Sequence, residues 1–280
     1  PPRGVPFPRD NTTSLARIRS IARVFTTFVP LAMAWRCHGV DNADLVRQLE
    51  RHGILKSARV ANAMRACDRG NYAPTSSRDE AYEDHPLPIG YRATISAPHA
   101  HAACLELFER AGVVARGKKV LDVGSGTGYL SACFAELVGC KEGAGKVVGI
   151  EHIDALTKSS VENVKRDGKG GLLRAEAEAE AAFRLVTGDG RDGYEKMAPY
   201  DAIHVGASAE EIPEALLNQL AVGGRMVIPV GGSNGQALTV IDRLRDGSLR
   251  KRDEMGVMYV PLTSRDEQLS PTRFLSGLAG

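Results

Sequence analysis

Hydrophobic residues fall into two alternating patterns along most of the second half of the chain. Short apolar runs typical of buried strands are separated by segments whose apolar residues recur every three or four positions, as on a helix. The predicted strands are 119–123, 146–151, 183–187, 200–205 and 225–230, and the predicted helices are 129–138, 154–166 and 213–220. This order predicts an α/β fold with a Rossmann-like, doubly wound and mostly parallel sheet.

The chain before this pattern is predicted to form an N-terminal helical subdomain. Helical spacing between Asp41 and Arg69 predicts two short helices, and a third is predicted over 98–110, where Pro98 suits a first turn. The stretch 71–96 is rich in Pro, Gly, Tyr and Asp and predicts a loop with little regular structure.

The chain after the parallel strands is predicted to form an antiparallel hairpin. Two further apolar segments, 237–244 and 255–260, flank an Asp-Gly pair at 246–247. Asp-Gly is a strong hairpin signal because both turn positions then accept a positive φ. We expect this hairpin to extend the sheet.

Three regions follow from these patterns. Residues 1–32 form a basic leader with five arginines and one acid, typical of a targeting peptide, with a disordered extension or vector-derived residues as the alternatives. Residues 33–110 are predicted to carry the acceptor site and 111–280 the cofactor-binding core, in one globular unit. The Ala/Glu run at 174–182 predicts a solvated helix or a flexible insertion.

Composition excludes several classes of protein. The formal charge of +2 is too small for a dedicated nucleic-acid binder, so no nucleic-acid partner is expected. No apolar run reaches the length of a membrane span. The five cysteines have neither C-x-x-C nor zinc-ligand spacing, which predicts buried thiols and no metal site. We expect a cytoplasmic protein, with residues 1–32 as possible targeting information.

A glycine loop, D-V-G-S-G-T-G at 122–128, follows the first core strand directly. Gly124 and Gly126 let the backbone turn sharply and approach a small ligand, as in nucleotide-binding folds. Asp122 disfavours a pyrophosphate and suits the ammonium group of S-adenosylmethionine, although a role as a loop cap is the alternative. The spacing is G-x-G-x-G and not the G-x-G-x-x-G of dinucleotide enzymes.

Two further acids follow the next two strands. Glu151 ends strand 146–151, where a carboxylate can accept hydrogen bonds from both ribose hydroxyls, and Asp189 follows strand 183–187, where it could hold an adenine amino group. A simple turn aspartate is the alternative for Asp189. An NAD-dependent dehydrogenase and a methyltransferase-like binding module without activity are the competing functions.

One further segment of the sequence points to a particular protein family. T-I-S-A-P-H-A-H-A at 94–102 resembles the protein-L-isoaspartate O-methyltransferases. The resemblance covers roughly residues 33–268 and includes M-A-W at 33–35, Y-E-D-H-P-L-P-I-G at 82–90, Y-D-A-I-H-V-G-A at 200–207, G-G-R-M-V-I-P-V-G at 223–231 and M-Y-V-P-L-T at 258–263.

The resemblance implies a repair enzyme that methylates the free carboxylate of L-isoaspartyl and D-aspartyl residues in age-damaged proteins. We expect a monomer, because such an enzyme must admit many protein substrates. The methyl donor would be S-adenosylmethionine, leaving S-adenosylhomocysteine. Ser96 falls on the family's active-site serine. The cofactor positions fall on Thr94, Ile95, His101, Asp122, Gly124, Gly126, Glu151, His152, Gly188, Asp189, Thr263 and Gln268.

The implied reaction needs alignment more than proton transfer. A carboxylate with an ordinary pKa of about 4 is ionised at neutral pH and needs no general base. We expect Ser96 to donate a hydrogen bond to it, aided by free amides at the start of helix 98–110, although Ser96 as a helix cap is the alternative. His101 is expected to orient the methionine part of the cofactor, and His204 to be a satisfied core residue.

Overall fold

A computed structural model of the protein describes residues 37–74, 76, 80–173, 182–232 and 234–270. The predictions for the leader 1–32 lie outside these residues, as does the run at 174–182 except for its last residue. They remain predictions.

One seven-stranded sheet and one separate hairpin account for the strands of the described residues. The strands are β1 (Leu87–Gly90), β2 (Ala93–Ile95), β3 (Lys119–Val123), β4 (Lys146–Glu151), β5 (Phe183–Thr187), β6 (Tyr200–Val205), β7 (Leu220–Gly232), β8 (Gly235–Arg243) and β9 (Leu249–Val257). The large sheet has the order β5-β4-β3-β6-β7-β8-β9. Strands β3 to β7 pair in parallel with their neighbours. β8 pairs antiparallel with β7, and β9 pairs antiparallel with β8. The predicted fold class is confirmed.

Helices cover both faces of the sheet. They are α1 (Asn42–Arg51), α2 (Ala58–Ala66), α3 (Pro98–Glu109), α4 (Tyr129–Val138), α5 (Asp154–Arg166), α6 (Glu214–Gln219) and α7 (Arg265–Leu269). Successive strand residues point to opposite faces, so Val120 belongs to one buried cluster and Leu121 to the other. This alternation gives the sheet a hydrophobic core on each side.

The N-terminal helices share a core with the glycine-loop helix α4. Leu45 of α1, Met64 of α2 and Phe108 of α3 lie in the same cluster as Phe134 of α4. The rings of Phe108 and Phe134 meet edge to face with centroids 5.5 Å apart. The starts of the two helices also meet, because the rings of His101 in α3 and Tyr129 in α4 lie with centroids 5.2 Å apart. This contact brings segment 94–96, which precedes α3, close to the glycine loop.

Two regions differ from the prediction. Segment 71–96 was expected to lack regular structure, but β1 and β2 form a hairpin within it, with Tyr91 and Arg92 at positive φ in the turn. The last strand was expected at 255–260 and instead spans Leu249–Val257. β1 and β2 pair antiparallel across a tight turn. β9 pairs with β8 from soon after the Asp-Gly turn, and its charged residues suit an exposed sheet edge.

Two predictions from composition can be compared with the described residues. All five cysteines are buried free thiols, as predicted. Among the helices that the structure describes, none has the length and apolar character needed to cross a bilayer.

Candidate active site

A cleft opens at the carboxyl ends of β3 and β6, between segment 94–96 and the glycine loop. Seven of the predicted site residues line it: Thr94, Ile95, Ser96, His101, Asp122, Gly124 and Gly126. Six further residues line it that were not among the predicted site residues: Ser125, Thr127, Tyr129, Leu130, His204 and Gly206. Ser96 and the glycine loop therefore face the same space.

The glycine loop turns in a conformation that favours glycine. Gly124 has φ +73° and Gly126 has φ +51°. The amides of Gly124 and Ser125 both donate to the carbonyl of Ile150, at 2.9 and 3.1 Å, and the amide of Gly126 donates to Glu151 Oε2 at 3.1 Å. These three amides are already satisfied, so they do not form the open cradle that a pyrophosphate requires. The geometry of the loop therefore argues against the NAD-dependent dehydrogenase alternative.

Asp122 lies beneath the loop and is 1% exposed. Its Oδ1 accepts from His204 Nδ1 at 2.8 Å and its Oδ2 from Ser131 Oγ at 2.5 Å. The sheet register sets the first contact, because Asp122 of β3 is the direct neighbour of His204 in β6. Gly149 permits the second, since a Cβ there would lie 2.6 Å from Ser131 Oγ. Both carboxylate oxygens of Asp122 thus have hydrogen-bond partners within the protein, neither of which was predicted from the sequence.

His204 carries a charge inside the protein. Burial lowers the pKa of His204, but hydrogen bonds to Asp122 and Cys104 outweigh it and raise that pKa to about 10. At neutral pH the ring is an imidazolium paired with the Asp122 carboxylate. His204 is a satisfied core residue, as expected, yet it also forms part of the cleft wall. The predicted attraction of Asp122 for an ammonium group is therefore partly offset by His204.

Ser96 precedes α3 but does not cap it. The N-cap residue is Ala97, which makes no side-chain capping bond, so the helix-cap alternative for Ser96 is wrong. The expectation of free amides at this helix start is also wrong for two positions. The amide of His99 donates to Asp84 Oδ1 at 3.0 Å, and that of Ala100 to the carbonyl of Ala97 at 3.0 Å.

His101 is 8% exposed and packs against Tyr129, with ring centroids 5.2 Å apart. Burial, the Arg69 guanidinium and the His204 imidazolium hold the pKa of His101 well below its usual value of 6.5. His101 is therefore neutral at physiological pH. The two histidines that line the cleft therefore differ in charge, His204 being positive and His101 neutral.

The remaining predicted residues extend from the cleft along the ends of β4 and β5. Glu151 is 6% exposed and accepts from the amides of Gly126 and Ile153, at 3.1 and 3.0 Å. The amide of Gly188 donates to the carbonyl of Glu151 at 3.1 Å. The adjacent His152 ring nitrogen Nε2 lies 2.9 Å from Gln268 Oε1.

Of the two C-terminal site residues, Thr263 lies in the coil before α7 and Gln268 lies within α7. Gln268 of α7 donates from Nε2 to the carbonyl of Tyr91 at 2.8 Å, which ties the β1-β2 turn to His152. The Thr263 hydroxyl donates to the Glu267 carboxylate.

Asp189 is engaged locally. Its carboxylate accepts from the Arg191 guanidinium, with Oδ2 2.6 Å from Nη2, and from the Arg191 amide at 3.0 Å. These bonds hold the pKa of Asp189 below its usual value. The turn role suggested as the alternative for Asp189 is present, and its contact with adenine stays a prediction.

Comparison with known proteins places these residues in a family context. The family model described as protein-L-isoaspartate(D-aspartate) O-methyltransferase matches residues 40–267. Protein-L-isoaspartate O-methyltransferase 1 of Arabidopsis thaliana is 51% identical over 228 residues, covering 81% of this chain and 94% of that protein. The Caenorhabditis elegans protein-L-isoaspartate O-methyltransferase is 44% identical over 237 residues, covering 84% and 98% respectively.

A solved structure shows the same similarity in three dimensions. A crystal structure from Plasmodium falciparum, described as a beta-aspartate methyltransferase in complex with S-adenosyl-L-homocysteine, matches with a TM-score of 0.69 and 33% identity. The match covers 80% of this chain and 98% of that one.

The Asp122–His204 pair makes stability depend on pH. Since the pKa of His204 is raised to about 10 from an ordinary 6.5, the stabilisation is fully present below about pH 6.5 and is lost as pH rises through about 10. We expect the His204 imidazole signal in an NMR titration to change only at alkaline pH. The unfolding free energy of His204→Gln should fall less steeply over this range than that of the wild type. A His204 midpoint below 6.5 would contradict the ion pair.

Proposed function

The chain belongs to the protein-L-isoaspartate(D-aspartate) O-methyltransferase family, and from that premise we propose that it methylates the free carboxylate of L-isoaspartyl and D-aspartyl residues in damaged polypeptides. One observation carries the proposal: Ser96 of the T-I-S-A-P-H segment and the glycine loop line one cleft. The methyl donor in this proposal is S-adenosylmethionine. The proposed working form is a monomer in the cytoplasm that acts on polypeptides and binds neither nucleic acid nor membranes.

The residues present fit that donor. A Cβ at Gly126 would lie 3.2 Å from Ile89 Cδ1, so any side chain at position 126 would crowd the space between the glycine loop and segment 82–90. Carboxylates at the ends of two adjacent strands, Glu151 and Asp189, supply acceptors for hydroxyl and amino groups. A carboxylate has about four acceptor sites, so Glu151 retains capacity beyond its two amide bonds.

The assignments to individual parts of the cofactor are proposals. Glu151 and His152 would hold the ribose, Gly188 and Asp189 the adenine, and Thr263 and Gln268 would contribute from the C-terminal segment. Thr94, Ile95, His101, Asp122, Gly124 and Gly126 would surround the methionine part. The bound donor supplies an electrophilic sulfonium methyl group.

The protein's own task is then to align and shield the acceptor. The acceptor carboxylate is ionised at neutral pH, so no side chain has to remove a proton from it. Ser96 is half-buried and lines the cleft, where its hydroxyl can donate a hydrogen bond to that carboxylate. Holding two reactants in line can lower the activation barrier by about 7 to 11 kcal/mol in favourable cases. A site without a general base can therefore still be catalytic.

The buried histidine removes an electrostatic obstacle. An unpaired Asp122 in the cleft floor would repel a substrate carboxylate, and the repulsion would be strong in a poorly solvated site. The imidazolium of His204, 2.8 Å from Asp122 Oδ1, compensates that negative charge. The cleft can therefore admit an anion next to the loop.

A methyl-transfer assay tests the function. The protein should transfer labelled methyl groups from S-adenosylmethionine to an isoaspartyl peptide and leave the same peptide with a normal aspartyl residue unlabelled. Equal labelling of both peptides would argue for a general carboxyl methyltransferase, and labelling of neither would remove the proposal.

Ser96→Ala should lower kcat on the isoaspartyl peptide by about tenfold or more, because one hydrogen bond to a charged group is lost. Affinity for S-adenosylhomocysteine, measured by calorimetry, should stay close to that of the wild type. Ser159→Ala, which changes an exposed serine on α5, serves as the matched control. Unchanged kcat in Ser96→Ala would exclude Ser96 from the reaction.

A further inference from the structure

A buried arginine lies behind the cleft and has no assigned role. Arg69 follows α2 in a short 3-10 turn and is 0% exposed. Its Nε donates to the carbonyl of Ala81 at 2.8 Å, and its Cζ lies 5.7 Å from the centre of the Tyr129 ring. Its Nη1 lies 3.5 Å from His101 Nδ1, the distance of a long hydrogen bond.

The chemistry of the two groups fixes the direction of this bond. A guanidinium has five N–H donors and no acceptor. His101 Nδ1 therefore has to accept, which requires a lone pair on Nδ1 and leaves the ring proton on Nε2. A ring protonated on Nδ1 would set one N–H group against another beside a positive charge.

The charges around both residues agree with this arrangement. Burial lowers the pKa of Arg69 to about 10, against opposing effects of Tyr129 and Asp84, so the guanidinium stays charged at neutral pH. The same burial, with the charges of Arg69 and His204, keeps His101 neutral. Asp84 is itself 0% exposed and contributes the compensating negative charge.

The other ring nitrogen of His101 has no partner within the described part of the chain. Nδ1 is the ring atom that meets Arg69, and no described group hydrogen bonds with Nε2. His101 lines the same cleft as Ser96. Its Nε2–H is thus a donor left for whatever enters the cleft.

We propose that Arg69 is a positioning residue that fixes His101 as the neutral Nε2–H tautomer and so gives the cleft a second donor for a carboxylate, besides Ser96. This inference rests on the proposed function for the identity of that carboxylate. Two sources share the chemistry: the methionine carboxylate of the cofactor and the acceptor carboxylate of the peptide. From the sequence, His101 was predicted to contact the cofactor, and Arg69 carried no signal of a role in the site.

The tautomer can be read directly in the wild-type protein. With ¹⁵N-labelled histidine, long-range ¹H–¹⁵N correlation spectra distinguish a protonated Nε2 from a protonated Nδ1. We expect His101 to be Nε2–H and neutral from pH 6 to 8. A protonated Nδ1 or a charged His101 ring in this range would overturn the proposal, whether or not the protein methylates isoaspartyl peptides.

Two variants then separate positioning from packing. Arg69→Met removes the donor and should mix the tautomers of His101, whereas Arg69→Lys keeps a charged donor and should preserve Nε2–H. Arg225→Met is the control for loss of a partly buried arginine, because Arg225 pairs with Asp242 in β7 and β8, away from the cleft. If Arg69→Met does not fold, the wild-type spectrum and the spectrum of Arg69→Lys still test the proposed tautomer of His101.

Binding measurements identify the carboxylate. Weaker binding of S-adenosylhomocysteine by Arg69→Met, by about tenfold, would indicate the methionine carboxylate, and a similar rise in KM for the isoaspartyl peptide alone would indicate the acceptor. In either case, Arg69→Lys should keep the affinity for S-adenosylhomocysteine and the KM for the peptide close to those of the wild type. Mixed tautomers with both values unchanged would contradict a positioning role.

Discussion

The structure depends on one buried pair of opposite charges, Asp122 and His204. Neither charge could stay in the interior alone, because an unpaired buried ion costs several kcal/mol. Their contact requires β6 to lie beside β3 in one register, and it fixes the last residues of β3 where the glycine loop begins. Gly149, on the other side of β3, leaves the space through which Ser131 reaches the same carboxylate. The register of β6 against β3 and the position where the cofactor loop begins thus depend on the same contacts.

The charge states around the cleft follow from neighbours more than from the titrating groups themselves. Asp122 keeps His204 charged, while Arg69 helps keep His101 neutral. Two histidines within one cleft wall therefore differ in protonation at the same pH. An anionic acceptor meets a compensated floor and donor groups, which suits a reaction whose nucleophile arrives already ionised.

The sequence predicted the features that local pattern determines. Buried apolar runs located β3, β4, β5 and β6 with the bounds the structure has, and the glycine loop and T-I-S-A-P-H segment located the cleft. Edge strand β9 was misplaced because its charged residues carry no hydrophobic signal. Arg69 and His204 were missed as site residues since their meaning depends on partners 32 and 82 residues away, which only tertiary structure brings together.

The central claim, that Asp122 and His204 act as one unit to hold the cofactor loop, is tested by a double-mutant cycle. Binding of S-adenosylhomocysteine would be measured by calorimetry for Asp122→Asn, His204→Gln and the double variant. Each single change leaves a buried group without its partner, so the double variant should bind no more weakly than the poorer single variant. Losses that add to within about 0.5 kcal/mol would mean that the two residues act independently and would contradict the account.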